Sequence, residues 1–136
     1  MKVLVVDDEV VSRKKMIKIL GKYGVCEEAE NGREAIEKFS VNAVDGTDSY
    51  DLITLDISMP DISGLDVLER IRNIEKEKSV EKEQQVKILM VTAKSEKETV
   101  RQSIESGCND YVIKPFNNQS MQIKLVRAGL IKEDKL

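Results

Sequence analysis

Asp7, Asp8, Asp56, Thr92 and Lys114 each close a short apolar run of the kind that forms a buried strand. If those strands lie parallel, their ends converge on one edge of a sheet and share one shallow pocket. Three carboxylates brought that close repel, and each would have a raised pKa without a counter-charge. A divalent cation resolves the repulsion. Oxygen ligands with no Cys or His among them suit a hard ion, Mg²⁺ or Mn²⁺. Lys114 adds a second positive charge and Thr92 a hydroxyl donor, which together suit a phosphoryl group in transfer. With no histidine in the chain and no reactive cysteine in reach, the candidate nucleophile is a carboxylate. Taken singly, each residue has a plainer reading: Asp7 or Asp8 as a helix N-cap, Thr92 as a strand terminator, Lys114 as a surface lysine. The coincidence of all four strand ends favours a site.

Composition narrows the classes. The chain has 136 residues, enough for about one domain with a real core. Its 22 basic and 25 acidic residues give a net charge of −3, against the basic excess usual in a free-standing nucleic-acid binder. Two cysteines, Cys26 and Cys108, are too few for a disulfide scaffold or a four-ligand zinc site. The absence of histidine excludes Ser-His-Asp and Cys-His triads and any phosphohistidine on this chain. The N-terminal apolar run, residues 3–6, falls far short of the ~20 residues of a membrane span or of a signal-peptide core. A cytoplasmic location without a membrane partner is the expectation.

The elements that must position these residues are legible as an alternation. Segments 2–7, 50–56 and 86–92 are apolar and rich in β-branched residues, 110–114 is a shorter strand, and 25–30 a weaker one. Helices are expected over 9–22, with Met16, Leu20 and Tyr23 at helical spacing, over 33–39 after Asn31-Gly32, and over 65–74. A fourth helix, 95–106, is expected to begin with a Ser95/Glu98 capping box, rest on Val100 and Ile104, and stop at Gly107. The fifth spans about 118–131. Residues 41–49 read as a polar surface loop and 75–83 as a solvated extension of the third helix. Strands alternating with helices imply an α/β, doubly wound, parallel five-stranded sheet covered on both faces.

The motifs VLVVDDE, AENGREAIEKF, LDISMPDISGLDVL, LMVTAKSE and GCNDYVIKPF together resemble the receiver domains of two-component response regulators, over residues 2 to about 130. The likeness is to the single-domain, CheY-like type, with a flavodoxin-like (βα)5 fold in strand order 2-1-3-4-5. It implies a receiver domain over 1–131, a short tail over 132–136 and no output domain. It implies that Asp56 accepts the phosphoryl group, that Asp8 and Asp56 ligate Mg²⁺ with the backbone carbonyl of Ser58, and that Asp7 acts through a metal-bound water. Lys114 would pair with Asp56 or its phosphate, Thr92 would bond a phosphoryl oxygen, and Tyr111 would be the switch aromatic. Lys114-Pro115 would be cis, and Met59-Pro60 and Gly64 would shape the loop after the acceptor. Segments 41–49 and 75–85 are several residues longer than in compact members. Cys26 and Cys108 would be bystanders on opposite sheet edges.

The same resemblance implies partners: a histidine kinase or histidine phosphotransfer protein as donor, and a downstream protein target. Arg13, Lys14, Lys15 and Lys18 on the first helix are either a solvated basic face or the donor's docking face. On the last helix, Met121, Leu125 and Ala128 fall on one face, the expected core face. Ile123, Val126 and Leu130 fall on the other, and would serve an output or dimerisation surface beside Tyr111. Ser58 and Lys94, each two residues past Asp56 and Thr92, would leave the acyl phosphate slow to hydrolyse. Two rival classes stay open. One is a receiver excised from a larger regulator with a DNA-binding or enzymatic output domain. The other is a metal-dependent aspartyl phosphatase, which would want a second aspartate where Ser58 stands.

Overall fold

Helix follows strand five times along the chain. The computed structural model describes residues 1–45 and 49–133. In order it contains β1 (Lys2–Val6), α1 (Val10–Leu20), β2 (Val25–Ala29), α2 (Gly32–Asp45), β3 (Leu52–Asp56), α3 (Gly64–Glu77), β4 (Lys87–Thr92), α4 (Lys97–Glu105), β5 (Asp110–Ile113) and α5 (Asn118–Arg127). The strands make one parallel sheet in the order 2-1-3-4-5.

Alternation along β1 divides the core. Val3 and Val5 face Met16, Ile19 and Leu20 of α1 and Met121 and Leu125 of α5. Leu4 and Val6 face Phe39 of α2 and Val67, Leu68 and Ile71 of α3. α4 joins this second face through Val100. All five residues of β3 are buried, as a central strand covered by helices on both sides requires. Each fully buried aliphatic side chain here contributes roughly 1.5–3 kcal/mol.

Four expectations are corrected by packing. Residues 41–45 are helical and extend α2, while 46–48 lie outside the described residues. Glu75 is not a solvated extension but is buried, because Arg72 Nη1 pairs with its Oε1 at 2.6 Å and the Val86 N–H donates to its Oε2 at 2.8 Å. α4 starts at Lys97 with Glu96 as its N-cap and no Ser95/Glu98 box. On α4, Ile104 is 53% exposed and the buried neighbour of Val100 is Ser103. The Ser103 hydroxyl donates to the Thr99 carbonyl at 2.8 Å, so this small polar residue is satisfied where it is buried.

Both late helices end in the same way. Gly107 and Gly129 take positive φ, 103° and 75°. Each allows a return hydrogen bond five residues back, Cys108 N–H to Ser103 O and Leu130 N–H to Leu125 O, both 3.0 Å. This turn folds Leu130 and Ile131 against the α1/α5 core, so Leu130 does not share an outer face with Ile123. Arg72 also donates from Nε to the Gly107 carbonyl at 2.9 Å and from Nη2 to Asn109 at 3.0 Å, tying α3 to the end of α4. Cys26 and Cys108 are free thiols at opposite edges of the sheet, and burial pushes Cys108 up to about 11.

Candidate functional site

Backbone pairing carries the sheet one residue past β1, β3 and β5, which anchors Asp7 and Lys114 just beyond their strands and Asp56 at the end of its own. The Asp7 N–H donates to Ala29 O at 3.1 Å, and the Lys114 N–H to Thr92 O at 2.7 Å. Beyond Asp56, the Ile57 N–H donates to Val91 O at 3.0 Å. The side chains of β1, β3 and β5 are thus delivered to one edge on rigid backbone.

Carboxylate oxygens of Asp7, Asp8 and Asp56 lie within 4.8 Å of one another, a group able to hold a metal ion. Asp7 and Asp56 are each 5% exposed, while Asp8 is open to solvent. The Lys114 ammonium reaches Asp56 Oδ2 at 3.3 Å and Asp7 Oδ2 at 3.7 Å. The Lys114-Pro115 bond is cis. Burial and the neighbouring Asp7 charge push the Asp56 carboxyl up to about 6, against the opposing pull of Lys114. Burial alone would lower Lys114, but the charges of Asp56 and Asp7 outweigh it and raise the ammonium above its ordinary value.

Two loops border this cluster. After β3, the Ser58 N–H donates to Asp56 Oδ1 at 3.1 Å, and Gly64 passes so close that a Cβ there would lie 2.3 Å from the Asp56 carbonyl oxygen. After β4, Thr92 is buried and its hydroxyl donates to the Ala93 carbonyl at 3.0 Å, not to Asp56. Lys94 is exposed in the same loop. Glu96, which sequence reasoning missed, joins the loops: its Oε2 accepts from Ser58 Oγ at 2.8 Å and its Oε1 from the Ala93 N–H at 3.0 Å. The Ala93 contact has the short-range spacing of three residues, but no local pattern marks the Ser58 contact, 38 residues away in the loop after β3.

The surrounding surfaces differ in part from expectation. Arg13 is 4% exposed, donates to the Asp7 carbonyl at 2.9 Å and pairs with Glu28 at 2.8 Å, so it is not part of an exposed basic face. Its position three residues before Met16, on the core stripe, was the signal for this. Lys14, Lys15 and Lys18 stay exposed, beside Val10 and Val11 at the start of α1. Tyr111 is half-buried, with the Lys124 ammonium 4.9 Å from its ring centre. It lines a groove of about 680 Å³ with Val100, Ile104 and Ile113 and a rim of Lys94, Lys97 and Arg101. Ile123 and Val126 line a separate depression with Gln122 and Arg127.

A parallel 2-1-3-4-5 sheet with acidic residues at its carboxyl edge and Lys114 opposite defines a class. The chain belongs to the response regulator receiver domain family, whose model matches residues 3–126. It is a CheY-type receiver domain of two-component signalling, a family of signalling proteins rather than of enzymes on external substrates. It is 35% identical over 117 residues to the chemotaxis protein CheY of Bacillus subtilis, covering 85% of this chain and 86% of that protein. It is 36% identical over 125 residues to the transcriptional regulatory protein ResD of the same organism, covering 91% of this chain and 46% of that protein. In fold it matches the CheX-CheY-BeF3-Mg complex from Borrelia burgdorferi with a TM-score of 0.80 and 23% identity, covering 97% of this chain and 90% of that one.

Proposed function

We propose that this receiver takes a phosphoryl group from a phosphohistidine of another protein onto Asp56, with Mg²⁺ (or Mn²⁺) as cofactor, and changes its affinity for a downstream protein. The observation that carries this is the Asp56 carboxylate, buried between two further aspartates and an ammonium 3.3 Å away. Asp8 and Asp56, with the Ser58 carbonyl, would hold the cation, and Asp7 would act through a water on it. The donor set fits, since it offers hard oxygen ligands and its crowded charge lacks full compensation. When bound, the cation neutralises carboxylate repulsion and the charge of the phosphoryl oxygens.

The chain's own residues do the rest. A carboxylate oxygen of Asp56 attacks phosphorus as the phosphorus–nitrogen bond to the donor imidazole breaks, and the imidazole keeps that electron pair. Lys114 binds a phosphoryl oxygen as Asp56 gives up its charge, a role supported by its ion pair with Asp56 at 3.3 Å. Thr92 turns its hydroxyl from the Ala93 carbonyl to the phosphoryl group, and Tyr111 repositions in the groove that Thr92 borders. Ser58 and Lys94 offer no carboxylate or amide to orient an attacking water, so the acyl phosphate turns over slowly without a partner.

The donor is a histidine kinase or histidine phosphotransfer protein, and the setting is the cytoplasm. No helix among the described residues is long and apolar enough to cross a membrane. The receiver unit spans 1–131 with a tail of 132–136, of which 134–136 lie outside the described residues. A second reading, a receiver that works within a larger regulator, is favoured by the match to about half of ResD. The test is incubation with acetyl phosphate or phosphoramidate, with and without Mg²⁺, followed by borohydride trapping and mass spectrometry. Label on Asp56 only with the cation is expected, and weaker metal binding in Asp8→Ala. Label persisting in Asp56→Asn overturns the assignment.

A further inference from the structure

Glu96 engages both groups that border Asp56. Its carboxylate accepts from Ser58 Oγ at 2.8 Å and from the Ala93 N–H at 3.0 Å. Its own N–H donates to the Ala93 carbonyl at 3.1 Å, the oxygen that also receives the Thr92 hydroxyl. Ala93 is therefore gripped at both of its polar backbone atoms by one residue, and Thr92 is parked on the gripped segment. Ser58 in turn donates its N–H to Asp56. A phosphoryl group on Asp56 brings about −2 charge and three acceptor oxygens that need donors. Two donors of the bordering loops, the Ser58 hydroxyl and the Ala93 N–H, are already held by a carboxylate.

We propose that Glu96 is a positioning residue for phosphoryl binding: an internal anion that occupies the Ser58 and Ala93 donors while Asp56 is unmodified, and must let go when a phosphoryl group arrives. This rests on the phosphoacceptor reading above. Glu96 opposes the modified state twice, by bonds that have to break and by a like charge beside the incoming anion. Releasing it frees the Ala93 segment, lets Thr92 turn, and unties the first turn of α4 from the loop after β3. Glu96 therefore sets how far the equilibrium leans toward the unmodified conformation, and it links the acceptor loop to α4 without touching Asp56.

The experiment is a titration with fluoroberyllate, a phosphoryl mimic, at saturating Mg²⁺, followed by amide NMR. The proteins are wild type, Glu96→Ala, Glu96→Gln, Ser58→Ala and the Ser58→Ala/Glu96→Ala double variant. Glu96→Ala should bind about three- to tenfold more tightly than wild type, the factor that goes with losing about one hydrogen bond. Glu96→Gln, which keeps the side chain's length but not its charge, should fall between them, independently of helix stability. In the Ser58→Ala background the gain should shrink, since one arm of the bridge is already gone. In metal-free protein, exchange of the Ala93 amide should accelerate in Glu96→Ala while β4 amides are unchanged. Unchanged or weaker binding in both Glu96 variants with native spectra elsewhere overturns the proposal, as does full additivity with Ser58→Ala. Wild type that binds no fluoroberyllate overturns the phosphoacceptor reading itself.

Discussion

Asp56 is held where its charge is disfavoured, and this has a measurable cost. Its carboxyl is raised from 3.8 to about 6 by burial and by Asp7. A raised folded-state pKa means that the folded protein holds its proton longer than the unfolded chain does. The resulting contribution to stability is whole below about pH 4 and lost as pH rises through about 6. In chelator-treated protein, Asp56→Asn should therefore gain on wild type by about 2 kcal/mol between about pH 4 and 7.5, measured by urea unfolding. A pH-independent difference would contradict this. Gly64 supplies a second test. A Cβ there meets the backbone of Asp56 and Ile57 at 2.3 and 2.7 Å, atoms that cannot turn aside. Gly64→Ala should cost about 1–3 kcal/mol and slow labelling of Asp56, read by unfolding and by mass spectrometry.

Helices were legible where a stripe of aliphatics met the core, and illegible where a polar residue took a core position. Met16 and Leu20 fixed α1, yet Arg13 on the same stripe passed for a surface charge. It is buried because the Asp7 carbonyl and Glu28 satisfy it, which only the folded neighbours of β1 and β2 provide. Ser103 and Ile104 exchanged roles on α4 because the Ser103 hydroxyl is satisfied within its own helix, by the Thr99 carbonyl, and so tolerates burial. The end of α5 was misjudged because a glycine turn redirects Leu130 onto the core, which helical periodicity does not foresee. The exposed face of α1 is thus Val10, Val11, Lys14, Lys15 and Lys18. Reversing charge at Lys14 and Lys18 should slow transfer from a cognate phosphohistidine donor several-fold. Labelling by acetyl phosphate should stay unchanged, as compared in parallel stopped reactions, and loss of both activities would instead indicate misfolding.

At the scale of the whole molecule, the strand-end residues were readable because a parallel sheet leaves little freedom about where its carboxyl ends lie. What could not be read was the wiring between loops, such as Glu96 across to Ser58, since no local pattern encodes a contact between distant segments. The apolar surfaces on the α4–β5 groove and on α5 give a further expectation. If either serves self-association, light scattering with Mg²⁺ and fluoroberyllate should show a doubled molar mass that Val126→Glu or Ile104→Glu abolishes. A monomer in all conditions leaves only a different protein as their partner. The anchoring of α4 bears on how such a surface would respond. Its far end is pinned by Arg72 on Gly107 and by the return bond to Ser103, while its near end is held by Glu96. Should phosphorylation release Glu96 as proposed, α4 would act as a lever with its fulcrum at Gly107 and its catch at Glu96. Nine residues make an arm of about 13 Å, so tilting it by about 10° carries the free end roughly 2 Å while the fulcrum stays still.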